Sequence, residues 1–289
     1  SALVTKMPQN DITKAAVKDL RRYNVDVSNI VYGGDRLGIY FIEKGASQRG
    51  SKVIYDRKYS SISMAKREDF DWNKIFEGAT WFHFTGITPA LSDSVAEICL
   101  DACKCAKEKG LTISCDLNYR KNLWSTEKAG QVMGELMKYV DLCIANEEDA
   151  EKVFGIKAKN TDVETGKLNH EGYREVAEQL ASRFGCKYVA ITLRGSISAS
   201  DNNWAGMLYT GGECYFSRNY LVHIVDRVGA GDSFGGALIY SLISGYSPQD
   251  AIEFAVAASC LKHTIEYDYN QVTVDEVKVL IKSGGSGRV

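Results

Sequence analysis

The chain has 289 residues, 45% hydrophobic and 25% charged, with a net charge of −2. These are ordinary globular values, enough for one large α/β domain or two small ones, and they exclude disordered and fibrous classes. No Lys/Arg block stands out and no apolar run reaches membrane-spanning length, so neither nucleic acid nor a bilayer is an expected partner, while small anionic ligands stay open.

The chain opens with a short expected strand, Ala2 to Thr5, a break at Met7-Pro8, and an amphipathic helix from Asp11 to Tyr23 with Ile12, Ala15, Ala16 and Leu20 on one side. From Ile30 to Arg67 glycines punctuate short β-branched and aromatic runs, Leu37 to Ile42 and Lys52 to Arg57. Strands joined by glycine turns without an intervening helix suggest a flap outside the main sheet. Tyr55 and Arg57 are two apart and would share a strand face.

From Asp71 onward strands and helices alternate. Strands are expected at Trp81–Gly86, Leu111–Asp116, Leu142–Ala145 and Tyr188–Leu193, and helices at Ser92–Lys109, Thr126–Tyr139, Glu147–Phe154 and Glu171–Phe184. A polar connector, Lys157 to His170, precedes the last of these helices, and a hairpin-like region runs on to Phe216. Such alternation predicts a mostly parallel sheet with helices on both faces. Beyond it, Ser247-Pro248 starts one helix and the capping box at Thr273 starts another, before a loose tail from Ser283 to Val289.

Eight cysteines without a C-x-x-C, and four histidines without metal-ligand spacing, predict buried reduced thiols in a cytoplasmic protein rather than a disulfide scaffold. Ser1 to Asn10 does not resemble a signal peptide.

In sheets of this kind ligands bind at the carboxyl ends of the strands. Three polar clusters lie there: Asp116 to Arg120, Asn146 to Asp149, and Thr192 to Gly195. Asn146 alone would be an ordinary helix N-cap. Several such clusters on one edge make an active-site edge the better reading.

The most informative stretch is Asp226-Arg227-Val228-Gly229-Ala230-Gly231-Asp232-Ser233-Phe234. A bare Gly-Ala-Gly turn runs into helical spacing at Phe234, Ala237, Leu238 and Leu242, and a helix N-terminus binds anions, phosphate above all. It is not a P-loop, because the only Gly-Lys pair, Gly166-Lys167, is followed by Leu168. It is not a dinucleotide fingerprint either, since the third glycine, Gly235, comes one place late. Backbone N–H groups of Ala230, Gly231 and Asp232 would neutralise a transferring phosphoryl group, and the Asp232 carboxylate would take the proton of an attacking hydroxyl. A carboxylate is a weak base, but in a loose transition state the proton leaves late.

This stretch resembles the C-terminal signature of ribokinase-like, PfkB-type sugar kinases, and Asp116-Leu117-Asn118-Tyr119-Arg120 with Leu123-Trp124 looks like the substrate segment of the 2-keto-3-deoxygluconate kinase branch. The resemblance implies a three-layer α/β/α body with a mostly parallel sheet, residues 1–29 and 68–289, and a small β-lid, residues 30–67. It implies Asp232 as base and Gly229, Ala230 and Gly231 as anion hole. Tyr40, Tyr55, Arg57, Asn118 and Arg120 would bind the substrate. A guanidinium fork suits a carboxylate, so the residues themselves agree on Arg57 and Arg120. Asn146, Thr192, Arg194 and Gly195 would border the nucleotide, and Asp149 would act on Mg²⁺ through water.

The expected activity is ATP- and Mg²⁺-dependent phosphorylation of a primary hydroxyl of a small sugar acid, 2-keto-3-deoxygluconate first. The rivals are a kinase of the same fold for fructose or a nucleoside, and a nucleotide- or sugar-binding protein without catalysis. A homodimer through the lid is expected. The family's first strand and its G-G-x-x-x-N sugar segment are expected before residue 1.

Overall fold

The computed structural model describes residues 1–157 and 170–284. The expected connector and the last residues of the tail lie outside the described residues. The chain divides into two compact units, Ser1–Ile42 with Val53–Asp141, and Glu43–Lys52 with Leu142–Val289.

In the first unit, strand β1 (Thr5–Met7) is followed by helix α1 (Asp11–Arg22), capped by Asn10, whose side chain accepts from the Thr13 N–H. Its buried residues are Thr13 and Val17, while Ile12 is 64% exposed, so the face turned inward is offset by one residue from the expected one. Strand β2 (Ile30–Tyr32) pairs in parallel with β1, Thr5 opposite Ile30. Within the span of the expected flap, β3 (Ile39–Glu43) and β4 (Lys52–Asp56) form a two-stranded sheet of their own.

After the one-turn helix α2 (Trp72–Ile75), strand β5 (Trp81–Thr85), helix α3 (Asp93–Glu108) and strand β6 (Thr112–Asp116) make a βαβ unit, with β5 and β6 parallel and Thr85 opposite Asp116. The helix buries Val95, Ile98, Cys99, Ala102, Cys103 and Ala106, an i, i+3, i+4 stripe. Helix α4 (Thr126–Leu136) closes this unit through Ala129, Met133 and Leu136. An aromatic row, Phe70, Trp72, Phe76, Phe82 and Phe84, links successive elements at centroid separations of 5.2–6.1 Å.

In the second unit, β7 (Leu142–Asn146) leads into α5 (Glu147–Phe154), and α6 (His170–Phe184) into β8 (Tyr188–Ser196). Strands β7 and β8 are parallel, with Asn146 opposite Thr192. Strand β9 (Asp201–Thr210) runs antiparallel to β8, and β10 (Glu213–Phe216) and β11 (Tyr220–His223) pair with successive halves of β9. Helices α7 (Ala230–Ile243), α8 (Pro248–Lys262) and α9 (Val274–Ser283) complete the unit. Ser247 and the Thr273–Glu276 box cap α8 and α9, as their sequence signals predict. Alanines let α8 lie close: Ala251, Ala255, Ala257 and Ala258 are buried, and a Cβ on Gly206 of β9 would stand 2.8 Å from Val256. No helix of the described residues is long and apolar enough to cross a membrane.

Candidate active site

Helix α7 begins at a left-handed glycine. Gly229 has φ 76° and no side chain caps the helix start. The Ala230 N–H turns back on the Arg227 carbonyl at 3.4 Å, and Ser233 N–H donates to the Gly229 carbonyl at 2.8 Å. Of the three expected donors, only those of Gly231 and Asp232 lack a backbone acceptor among the described residues. Asp232 stands exposed beside them in the first turn. A Cβ added to Gly231 would meet nothing within 4 Å, so the space over the turn is open.

Charge is gathered around this turn. Asp226, 5% exposed, accepts from the Val228 N–H at 3.0 Å and the Tyr267 N–H at 3.3 Å, and pairs with Lys44 at 2.9 Å. Burial pushes its carboxyl up, but these three donors outweigh burial and hold it below the ordinary aspartate value. Lys44 also reaches Glu266 at 3.3 Å, and the bond to Asp226 raises its own pKa. Arg227 donates to the Ala199 carbonyl at 2.7 Å; burial, and then the nearby charge of Arg194, depress its pKa. A cavity of about 410 Å³ adjoins Arg227, lined by Ser47, Ser51, Ser196 and Ser198 among others. Lys44 and Arg227 were missed by sequence reasoning. Arg227 lies inside the motif and was legible there; Lys44 carries no local signal.

The expected nucleotide residues lie in the same unit. Thr192 to Gly195 do not form a cluster beyond a strand end, because β8 continues to Ser196, with Thr192, Arg194 and Gly195 opposite Gly206, Trp204 and Asn203. The antiparallel partner β9 satisfies backbone groups that a parallel neighbour ending earlier would leave bare. Arg194 is exposed. Asn146 caps α5: its Oδ1 accepts from the Asp149 N–H at 2.9 Å, and Asp149 Oδ2 accepts from the Asn146 N–H at 3.4 Å. Asp149 is 4% exposed. A buried carboxylate engaged in a capping box does not fit a direct Mg²⁺ ligand, which leaves the expected action through water untouched, and the described residues contain no group of three or more His, Cys, Asp or Glu able to hold a metal ion.

In the first unit, Tyr40, Tyr55, Arg57 and Arg120 come together. The Arg57 guanidinium lies 4.3 Å from the centroid of the Tyr55 ring, and the rings of Tyr40 and Tyr55 are 6.3 Å apart. Burial, with Arg120 nearby, depresses the pKa of Arg57. Neither arginine has an acidic partner among the described residues; Arg120 donates to the Tyr119 carbonyl at 3.0 Å. Asn118, at φ 42°, donates to Thr85 Oγ1 at 3.1 Å. Two guanidiniums without a carboxylate partner thus lie near one another beside the tyrosines, an arrangement whose chemistry suits an anionic group.

The model for pfkB family carbohydrate kinases matches residues 1–271. The 2-dehydro-3-deoxygalactonokinase of Haloferax volcanii is 31% identical over 287 residues, 99% of this chain and 83% of the relative. Among solved structures, the 2-dehydro-3-deoxygluconokinase of Thermotoga maritima is 52% identical with a TM-score of 0.94, covering 98% of this chain and 84% of its own. A ribokinase II of E. coli, at 20% identity and TM-score 0.82, covers 97% of this chain and 83% of its own, and shows the ribokinase-like α/β fold.

Proposed function

Because the chain belongs to the pfkB family of carbohydrate kinases, we propose that it transfers the γ-phosphate of ATP to a primary hydroxyl of a 2-keto-3-deoxy sugar acid, 2-keto-3-deoxygluconate first. The observation that carries the acid is the pairing of Arg57 with Arg120 without a carboxylate between them. A neutral sugar has no use for two guanidiniums that are costly to bring together. The names of the similar proteins, a gluconokinase and a galactonokinase of the same acid type, support the class.

Arg57 and Arg120 bind the substrate carboxylate, while Tyr40, Tyr55 and Asn118 offer their polar ends to its hydroxyls. Asp232 receives the acceptor proton as the new O–P bond forms and the bond to the ADP oxygen breaks. The Gly229–Gly231 turn, through the Gly231 and Asp232 N–H groups, neutralises the equatorial oxygens. Thr192, Arg194, Gly195 and the Asn146 amide border the nucleotide. Mg²⁺ arrives as MgATP, held by the phosphates rather than by a protein cage.

The face of β3 that carries Ile39 and Phe41, with Ile54 of β4, is apolar and open: Phe41 is 59% and Ile54 69% exposed. In our reading a second copy covers it and residues 30–67 act as the lid of a homodimer; a monomer by light scattering at micromolar concentration refutes this. All eight cysteines are free, which suits a reducing cytoplasm.

The test is a substrate screen with MgATP. Phosphorylation of 2-keto-3-deoxy acids well above fructose, ribose and nucleosides supports the reading. Preference for a neutral sugar, or ATP binding without transfer to any acceptor, contradicts it.

A further inference from the structure

One buried charge has no part in the mechanism above. Lys262, the last residue of α8, is fully buried. Its Nζ donates to the Ile265 carbonyl at 2.9 Å, and it makes no direct ion pair among the described residues. An ammonium taken out of water costs several kcal/mol, and an apolar side chain of the same length would fill the space without that cost. Its presence in the core therefore calls for a reason in its surroundings.

Those surroundings are the turn. A Cβ on Gly229 would lie 3.4 Å from Lys262 Cε, and the same Cβ would collide with the Asp268 carbonyl oxygen. The lysine stem and the 265–268 loop thus form the floor on which the left-handed glycine rests. The carboxylates of Asp226 and Asp268 are the opposite charges acting on the ammonium, and Lys44 is the like charge. Asp226 is also bonded to the Val228 and Tyr267 N–H groups, immediately before the turn and within the loop. The charge is consequently locked to the backbone that shapes the helix start.

We infer that Lys262 is a positioning residue for phosphoryl transfer: its buried ammonium is a fixed positive charge behind the Gly229–Gly231 turn. It adds to the field that the α7 N-terminus exerts on the equatorial oxygens and holds the floor of the turn in place. A charge fixed in a poorly solvated site needs no reorganisation when negative charge develops. The inference rests on the reading of the turn as the anion hole.

The experiment uses Lys262→Gln, which keeps a donor for the Ile265 carbonyl, and Lys262→Met, which keeps only the stem. Wild type and Asp232→Asn are assayed alongside on the acid that wild type phosphorylates. Both neutral variants should melt near wild type and lose about 10- to 100-fold in kcat, with KM for the acid and for ATP within about 3-fold. Affinity for MgADP with aluminium fluoride and the acid should fall by the same factor, and affinity for ADP alone should hold. Wild-type turnover in both variants overturns the inference. So does a loss confined to Lys262→Met, which would assign the effect to the hydrogen bond, and so does failure of both to fold, which would make the lysine purely structural. Wild type that transfers phosphate to no sugar or acid overturns the parent reading instead.

Discussion

The Asp268 carbonyl oxygen occupies the place where any side chain on Gly229 would begin. Together with the left-handed φ of 76°, this makes residue 229 a glycine for two independent reasons. Gly229→Ala should lose about 1–3 kcal/mol from backbone strain alone, read as a lower melting temperature, and should lose turnover as the turn shifts. Gly231 is the contrast: its Cβ would meet nothing, so Gly231→Ala should melt like wild type while its methyl intrudes on the phosphate and lowers kcat. Equal melting of the two variants would contradict this description of the turn.

The two arginines of the first unit predict a specificity effect. Hydrogen bonds to charged groups contribute about 1.5–3 kcal/mol, so Arg120→Ala and Arg57→Ala should each raise KM for a sugar acid by roughly 10- to 150-fold. KM for ATP should barely change, and any slow turnover of a neutral sugar should be untouched. Steady-state kinetics on an acid and its neutral analogue decide the point. Equal losses on both substrates would separate the arginines from the carboxylate.

The parts of the site that were legible in the sequence are local in the chain. The turn before α7, the Asn146 cap and the Tyr55–Arg57 spacing all follow from residues a few positions apart. The ordinary N-cap role weighed for Asn146 is present in the structure, and it engages the Asp149 carboxylate as well. What was not legible depends on contacts distant in sequence: the parallel pairing of β2 with β1, the extension of β8 against β9, and the approach of Lys44 to Asp226. The face of α1 was misjudged because Ile12 is more hydrophobic than Thr13, yet the helix start that Asn10 caps turns Thr13 inward. Lys262 gave no signal because a lysine in an alanine-rich helix reads as a solvent contact.

Asp226 should show itself in the acid limb of stability. Its folded pKa lies below the unfolded value, so the stabilisation it contributes is full above about pH 4 and is lost as pH falls through the folded pKa. Denaturant unfolding should therefore find wild type more stable than Asp226→Asn by a constant amount from pH 7 to 5. The gap should narrow below about pH 4. A gap that widens on acidification would reverse the sign and refute the assignment.

Asp149 separates a capping role from a metal role. Asp149→Asn keeps an oxygen for the Asn146 N–H but removes the charge at the N-terminus of α5, worth about 0.3–1 kcal/mol. A small fall in melting temperature is expected, with an unchanged Mg²⁺ concentration for half-maximal rate. A tenfold shift in that concentration would instead place the carboxylate at the metal.

The central claim is that Asp232 takes the proton from the acceptor hydroxyl at the α7 turn, and single-turnover phosphate transfer by Asp232→Asn tests it most directly. The variant keeps the size of the side chain and the helix start. Transfer to the sugar acid should fall by about 10²–10⁴-fold while the affinity for ATP stays within a few fold. Transfer at close to the wild-type rate would contradict the account.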